Sequence, residues 1–156
     1  MGPKFLATDL EVNLKDWLTK AREDFPELKG WIFEGHYYNS PVDLWIDLVS
    51  LLSSAYWEQS ANDDLIGRIY DYAAWCFKQP DSGTAETDLS SATAVGLIET
   101  IPQDRNVSQD LYRWMSLESF EGFENIFRYT LSDEQYGKFR EEFLRMKQGY
   151  SGPSRI

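Results

Sequence analysis

One cysteine and one histidine are all that the 156 residues offer to thiol, imidazole or soft-metal chemistry. Cys76 has no second cysteine with which to close an internal disulfide, which fits a reducing compartment. A Cys/His zinc site needs about four such ligands and is excluded. Long apolar runs are missing as well: none approaches the roughly 20 residues that span a bilayer. The stretch from Met1 to Asp9 carries one lysine and no apolar core of the kind a secretory leader has. These shortages lead to the expectation of a cytoplasmic chain with no membrane partner, no metal and no cofactor.

Basic charge is the next shortage. The chain has 15 Lys and Arg against 26 Asp and Glu, a net charge of −11. The imbalance is uneven. Residues 136–156 hold Lys138, Arg140, Arg145, Lys147 and Arg155 against Glu141 and Glu142, a balance of +3 that leaves −14 for residues 1–135. Such a body repels phosphate backbones, so nucleic acid is not an expected partner, whereas a basic protein would be drawn to it. In the last helix Asp133 and Glu134 come first and Arg145 and Lys147 last, the order that complements a helix macrodipole.

Aromatic residues are abundant: six Trp, nine Tyr and nine Phe. With 42% hydrophobic and 26% charged residues the composition is globular. A chain this long can bury roughly 70% of its unfolded surface without staples. Apolar positions recur at helical spacing. Leu10, Leu14, Trp17, Leu18, Ala21 and Phe25 form one stripe, ended by Pro26. Ser40, Pro41 and Asp43 open a second helix in the manner of a capping box, with Leu44, Trp45, Leu48, Val49, Leu52, Ala55 and Tyr56 on its apolar face. Asn62 caps a third, with Leu65, Ile66, Ile69, Ala73, Cys76 and Phe77 as stripe and Pro80 as stop.

After a loop over 80–88, shorter helices are expected over 89–101, 109–115 and 117–129. Gly96 weakens the first of these by about 1 kcal/mol relative to alanine. Ser132 and Gln135 make a capping box for the last helix, whose face is Tyr136, Phe139, Phe143 and Met146. The expected fold is all-α: a single-domain helical bundle or short helical stack of about six to seven helices over 1–149, with a flexible C-terminal tail over 150–156. Trp17, Trp31 and Trp45 are two heptads apart, but Pro26, Gly30, Gly35 and Pro41 interrupt any coiled coil between them.

One segment breaks the helical period. Residues 30–40 hold two glycines, Trp31, Phe33, Tyr37, Tyr38 and the histidine, His36, two residues after Glu34. An ordered loop over the core and a short extended piece both fit this pattern. Glu34 and His36 could act as base and orienting group or as two ligands, although the spacing matches no H-E-x-x-H type motif. The plain alternative is a histidine hydrogen-bonded within an aromatic loop. Aromatics gathered in a loop point to recognition, so Trp31, Phe33, Glu34, His36, Tyr37 and Tyr38 form the candidate ligand- or partner-binding set. Tyr72, Trp75 and Trp114 also stand off the apolar stripes.

Other chemistry lacks its motif. Asp43 and Asp47, and Asp63, Asp64 and Asp71, sit on helix faces as a solvated surface would. No Glu-x-x-His pair, EF-hand loop, G-x-S-x-G elbow or phosphate-binding glycine loop occurs. Cys76, between Ala73 and Phe77 on an apolar face, reads as a buried, inert thiol.

Residues Arg68-Ile-Tyr-Asp-Tyr-Ala-Ala-Trp-Cys-Phe77 and Ser91-Ala-Thr-Ala-Val-Gly-Leu-Ile-Glu99 resemble a family of small bacterial all-helical proteins. That family carries an Ile-Tyr-x-Tyr-Ala-x-Trp-Cys helix, followed by an alanine-rich helix entering a Tyr-Glu-His segment. Ile98-Glu99-Thr100 stands where the family has its histidine. The resemblance covers about a third of the chain and implies a bacterial, cytosolic, all-α protein without an assigned activity. The favoured reading is a non-enzymatic protein-interaction module for a basic partner, as immunity proteins are for basic toxins. The alternatives are a small-molecule-binding protein or enzyme using the loop around His36, and a homo-oligomer with aromatics at its own interface.

Overall fold

The computed structural model describes residues 16–28, 38–80 and 88–156. Among these the chain is all-α, with no strand. Residues 16–24 are the described part of α1, which leads into a 3₁₀ turn at Pro26–Leu28. Leu10 and Leu14 of its expected stripe lie outside the described residues. Next come α2 (Pro41–Ala55) and α3 (Asp63–Phe77). Then follow α4 (Leu89–Gly96), a 3₁₀ helix at Ile98–Gln103, and α5 (Arg105–Asp110) with a 3₁₀ turn at Leu111–Arg113. The last three are α6 (Leu117–Gly122), α7 (Glu124–Phe127) and α8 (Asp133–Gln148).

Caps set most of the boundaries. The Asn62 side chain accepts from Leu65 N–H at 3.2 Å, and Asp88 and Ser116 cap α4 and α6 in the same way. Ser132 and Gln135 form the reciprocal capping box in full, at 3.1 and 2.9 Å. At α2 the expected box is incomplete. Ser40 makes no side-chain cap bond, and Asp43 instead accepts from Asn39 N–H at 3.1 Å. Pro41 in the first turn has no N–H, so one donor fewer needs a partner there.

Two expected helices are built differently. The 89–101 helix tightens into 3₁₀ geometry at Ile98 and runs through Pro102 to Gln103. The 117–129 helix breaks at Phe123, whose φ of −93° and ψ of 9° end α6 after Gly122 and set its ring 5.2 Å from Phe77. The helix expected over 109–115 begins earlier, at Arg105, because Asp104 caps it.

The buried residues form one hydrophobic cluster. Around α2 and α3, Tyr72 packs edge-on to Phe25 at 5.6 Å and beside Trp45 at 5.7 Å. Toward α8, Phe120 gathers Phe127, Phe139 and Phe143, the last stacked at 4.1 Å. Trp45 is buried with its indole N–H donating to Thr93 Oγ1 at 3.0 Å. Of the aromatics expected off the stripes, Tyr72 and Trp114 are core residues, and Trp75 is half-buried beneath the Lys20 ammonium. A helix inside a bundle has neighbours on more than one side, so its buried arc is wider than a single stripe.

Residues 150–156, the segment expected as a tail, are tied to the body by hydrogen bonds. Arg155 N–H and Ile156 N–H donate to Trp114 O at 2.8 and 3.1 Å, and Ser116 N–H donates to Ile156 O at 2.7 Å. Arg155 also pairs with Asp71, and Ile156 packs on the core. A polar, glycine-containing segment looks loose in sequence. Here its hydrogen bonds go to a turn more than 30 residues earlier, which no local pattern encodes.

Candidate functional site

The chain turns sharply between α2 and α3. Tyr56 and Trp57 N–H donate to Ser53 O and Ser54 O at 3.2 and 3.0 Å, and Asn62 N–H donates to Ala55 O at 3.0 Å. These bonds hold the backbone that presents Trp57, whose side chain is 78% exposed. Glu58 follows it, and Asp63 and Asp64 begin α3 on the far side of the turn.

Beneath this corner lies a cluster assembled from three elements. Asp110, the last residue of α5, accepts from Tyr56 Oη at 2.6 Å, Trp114 Nε1 at 3.0 Å and Arg113 Nη1 at 3.1 Å. Arg113 spans the gap to Asp63, reaching it at 2.7 Å. Asp110, Arg113 and Trp114 stand at i, i+3 and i+4, so the turn itself brings them onto one side. Tyr70 stacks on Trp114 at 5.6 Å with the planes 5° apart.

Charge and burial hold the phenols of this cluster in their protonated form. Burial first, then the Tyr70 hydroxyl and the Asp110 contacts, hold the Tyr56 hydroxyl far above the usual phenol range. Burial and the Asp110 and Asp104 charges do the same to Tyr70. Hydrogen bonds from Arg113 to Asp63 lead the causes that keep its guanidinium charged. The arrangement is a hydrogen-bonded floor. An open depression of about 390 Å³ lies over it, with Tyr56, Ala61, Asp110, Tyr112, Arg113 and Met146 among its walls. A second depression, along the outer face of α8, has only charged residues around it.

Of the residues expected to form a site, Trp31, Phe33, Glu34, His36 and Tyr37 lie outside the described residues. Tyr38 is described. Its hydroxyl donates to Asp47 Oδ2 at 2.7 Å, tying the segment before α2 to that helix. Burial first, and the Asp47 contact second, push its phenol well above the usual range. No group of three or more His, Cys, Asp or Glu able to hold a metal occurs among the described residues. No described helix is long and apolar enough to cross a membrane.

Sequence reasoning passed over Trp57, Asp110 and Arg113. Trp57 left a trace: it is a large aromatic placed after the last stripe residue of α2 and before Glu-Gln-Ser. The Asp110–Tyr56 pairing, 54 positions apart, left none.

Compared with family models, curated proteins and solved structures, the chain matches none. The two stretches that carry the resemblance to small bacterial helical proteins are packing surfaces. Ile69, Tyr70, Tyr72, Ala73 and Cys76 are buried in the first, and Ala92, Leu97 and Ile98 in the second.

Proposed function

We propose that this chain is a non-enzymatic protein-interaction module that receives a basic segment of a partner protein at the corner over residues 56–63 and 106–113. The observation that carries the reading is Trp57. A tryptophan held in solvent by a hydrogen-bonded turn costs apolar exposure in the free protein, and that cost is recovered when a partner covers it. The fixed backbone lowers the ordering penalty on binding. Glu58 in the turn, set in a body with a formal charge of −14, favours a cationic partner and speeds its approach.

The test is binding to Lys/Arg-rich peptides that also carry one apolar residue, with the Trp57→Ala variant as control. The expected result is association that weakens between low and moderate salt and falls at least tenfold in the variant. Salt-insensitive binding, or equal binding by Trp57→Ala, would overturn the reading. Concentration-dependent light scattering that disappears in Trp57→Ala would instead assign the corner to self-association.

A further inference from the structure

Asp63, Gly67 and Asp71 stand at i, i+4 and i+8 along α3 and so lie in one line. Each carboxylate holds an arginine: Arg113 on Asp63 and Arg155 on Asp71. Both guanidinium groups lie over the Trp114 ring, at 5.0 and 5.9 Å from its centroid. Trp114 and Arg155 lie directly over Gly67, where a Cβ would make ordinary contact, 3.4 Å from Trp114 Cζ3 and 3.7 Å from Arg155 Nη2. Arg113 comes from the body, next to Trp114 in the chain. Arg155 comes from the 150–156 segment, 84 residues from its carboxylate.

The Asp71 half of this ladder has the parts of a peptide-recognition groove. A carboxylate takes both contacts of one guanidinium nitrogen, at 2.8 and 2.7 Å. An indole supplies a cation–π wall, and the backbone of Trp114 and Ser116 makes three main-chain hydrogen bonds with residues 155 and 156, none of which depends on the side chains. Ile156 fills the apolar place that follows the arginine. The side chains of Arg155 and Asp71 are 43% and 53% exposed, so the ion pair is weakly held and open to exchange.

We infer that the groove formed by Asp71, Gly67, Trp114 and Ser116 is a docking site for a segment of a partner protein bearing arginine followed by an aliphatic residue, and that Arg155 and Ile156 occupy it in cis. The inference rests on the proposal of a basic partner and names a second contact for it. The segment 150–156 then acts as an internal competitor. Its tethering gives it a high effective concentration, so a partner engages the groove only when it also gains contacts elsewhere, such as at Trp57.

The experiment titrates a synthetic peptide with the sequence of residues 149–156 into the full-length chain and into full-length Arg155→Ala. The expected result is at least tenfold tighter binding by the variant. That binding should be lost when Asp71→Ala is added, or when alanine replaces arginine in the peptide. Equal affinity of the two chains, including no binding by either, or indifference to the peptide's arginine, overturns the inference. If circular dichroism shows that Arg155→Ala does not fold, Arg155→Lys replaces it, with the same outcomes deciding. Trp57→Ala separates the two proposals, because it leaves peptide binding in the groove unchanged while removing salt-sensitive binding at the corner.

Discussion

Gly96 of α4 lies so close to Trp45 of α2 that a Cβ added to it would come within 2.4 Å of Trp45 Cβ and 2.9 Å of Cγ. These atoms are the root of the indole side chain, which cannot swing aside. Two helices therefore approach at their backbones, and the Trp45–Thr93 hydrogen bond one turn away depends on that approach. On an exposed helix, glycine to alanine is a gain of about 1 kcal/mol. Here Gly96→Ala should reverse sign and destabilise by about 1–3 kcal/mol through overpacking. A thermal melt gives the answer, and an unchanged or raised Tm would refute the close crossing.

Tyr70 supplies a prediction in the opposite direction. Its hydroxyl is fully buried and has no hydrogen-bond partner, a condition that costs about 1–3 kcal/mol. Tyr70→Phe keeps the ring stacked on Trp114 and removes the orphan oxygen. Denaturant unfolding should show a variant as stable as the parent or more so by about 1 kcal/mol.

Asp110 should behave as the shared acceptor of its cluster. Asp110→Ala leaves the Tyr56 hydroxyl and the Trp114 indole N–H without their acceptor and should cost about 2–4 kcal/mol. Tyr56→Phe should cost about 1–2 kcal/mol. The double variant should fall short of the sum, since the Tyr56 bond can be lost only once. Additivity in a double-mutant cycle would show that the two side chains do not share a bond.

Cys76 is buried, and burial raises its thiol from 9.0 to about 11. The folded state thus holds the proton more tightly than the unfolded chain. Its contribution to stability is complete below about pH 9 and is lost as pH rises through about 11. Two units correspond to at most about 3 kcal/mol. Stability measured from pH 8 to 11 should fall less steeply in Cys76→Ala than in the parent. A thiol-specific reagent at pH 8 should label the unfolded chain and leave the native one largely untouched.

Arg68 gives the acid side. It forks onto Glu27 at 2.9 and 2.6 Å, donates to Asp24 O at 2.8 Å, and takes Asp64 at 2.9 Å, joining the end of α1 to α3. The hydrogen bond from Arg68 is the largest cause holding the Glu27 carboxyl below its ordinary value. Stability from this pair is present above about pH 4.5 and is lost as pH falls through the lowered value. Arg68→Ala should cost about 1 kcal/mol at neutral pH, since the pair is partly exposed, and should flatten the decline below pH 4.5.

Much of the architecture was legible in the chain itself. Helix spacing, the caps at Asn62 and Ser132, and the stops at Pro26 and Pro80 are local signals, and local signals survive folding because they act within one turn. Burial of Cys76 followed from its place on a stripe. The departures arose where distant residues decide. α6 ends at Phe123, whose ring meets Phe77, and residues 150–156 are held by Trp114, Ser116 and Asp71. The set built around His36 lies outside the described residues apart from Tyr38, which is anchored on Asp47.

The sequence by itself determined that the chain is helical, acidic over its first 135 residues and poor in the residues of metal and thiol chemistry, because composition and period are properties of the chain alone. Tertiary structure alone decided that Trp114 is buried, that Asp110 also takes the Tyr56 hydroxyl, and that Arg155 lies across Trp114 on Asp71. Each of these depends on which helices meet and at what distance. That is set by packing between positions tens of residues apart, and a single chain carries no local mark of it.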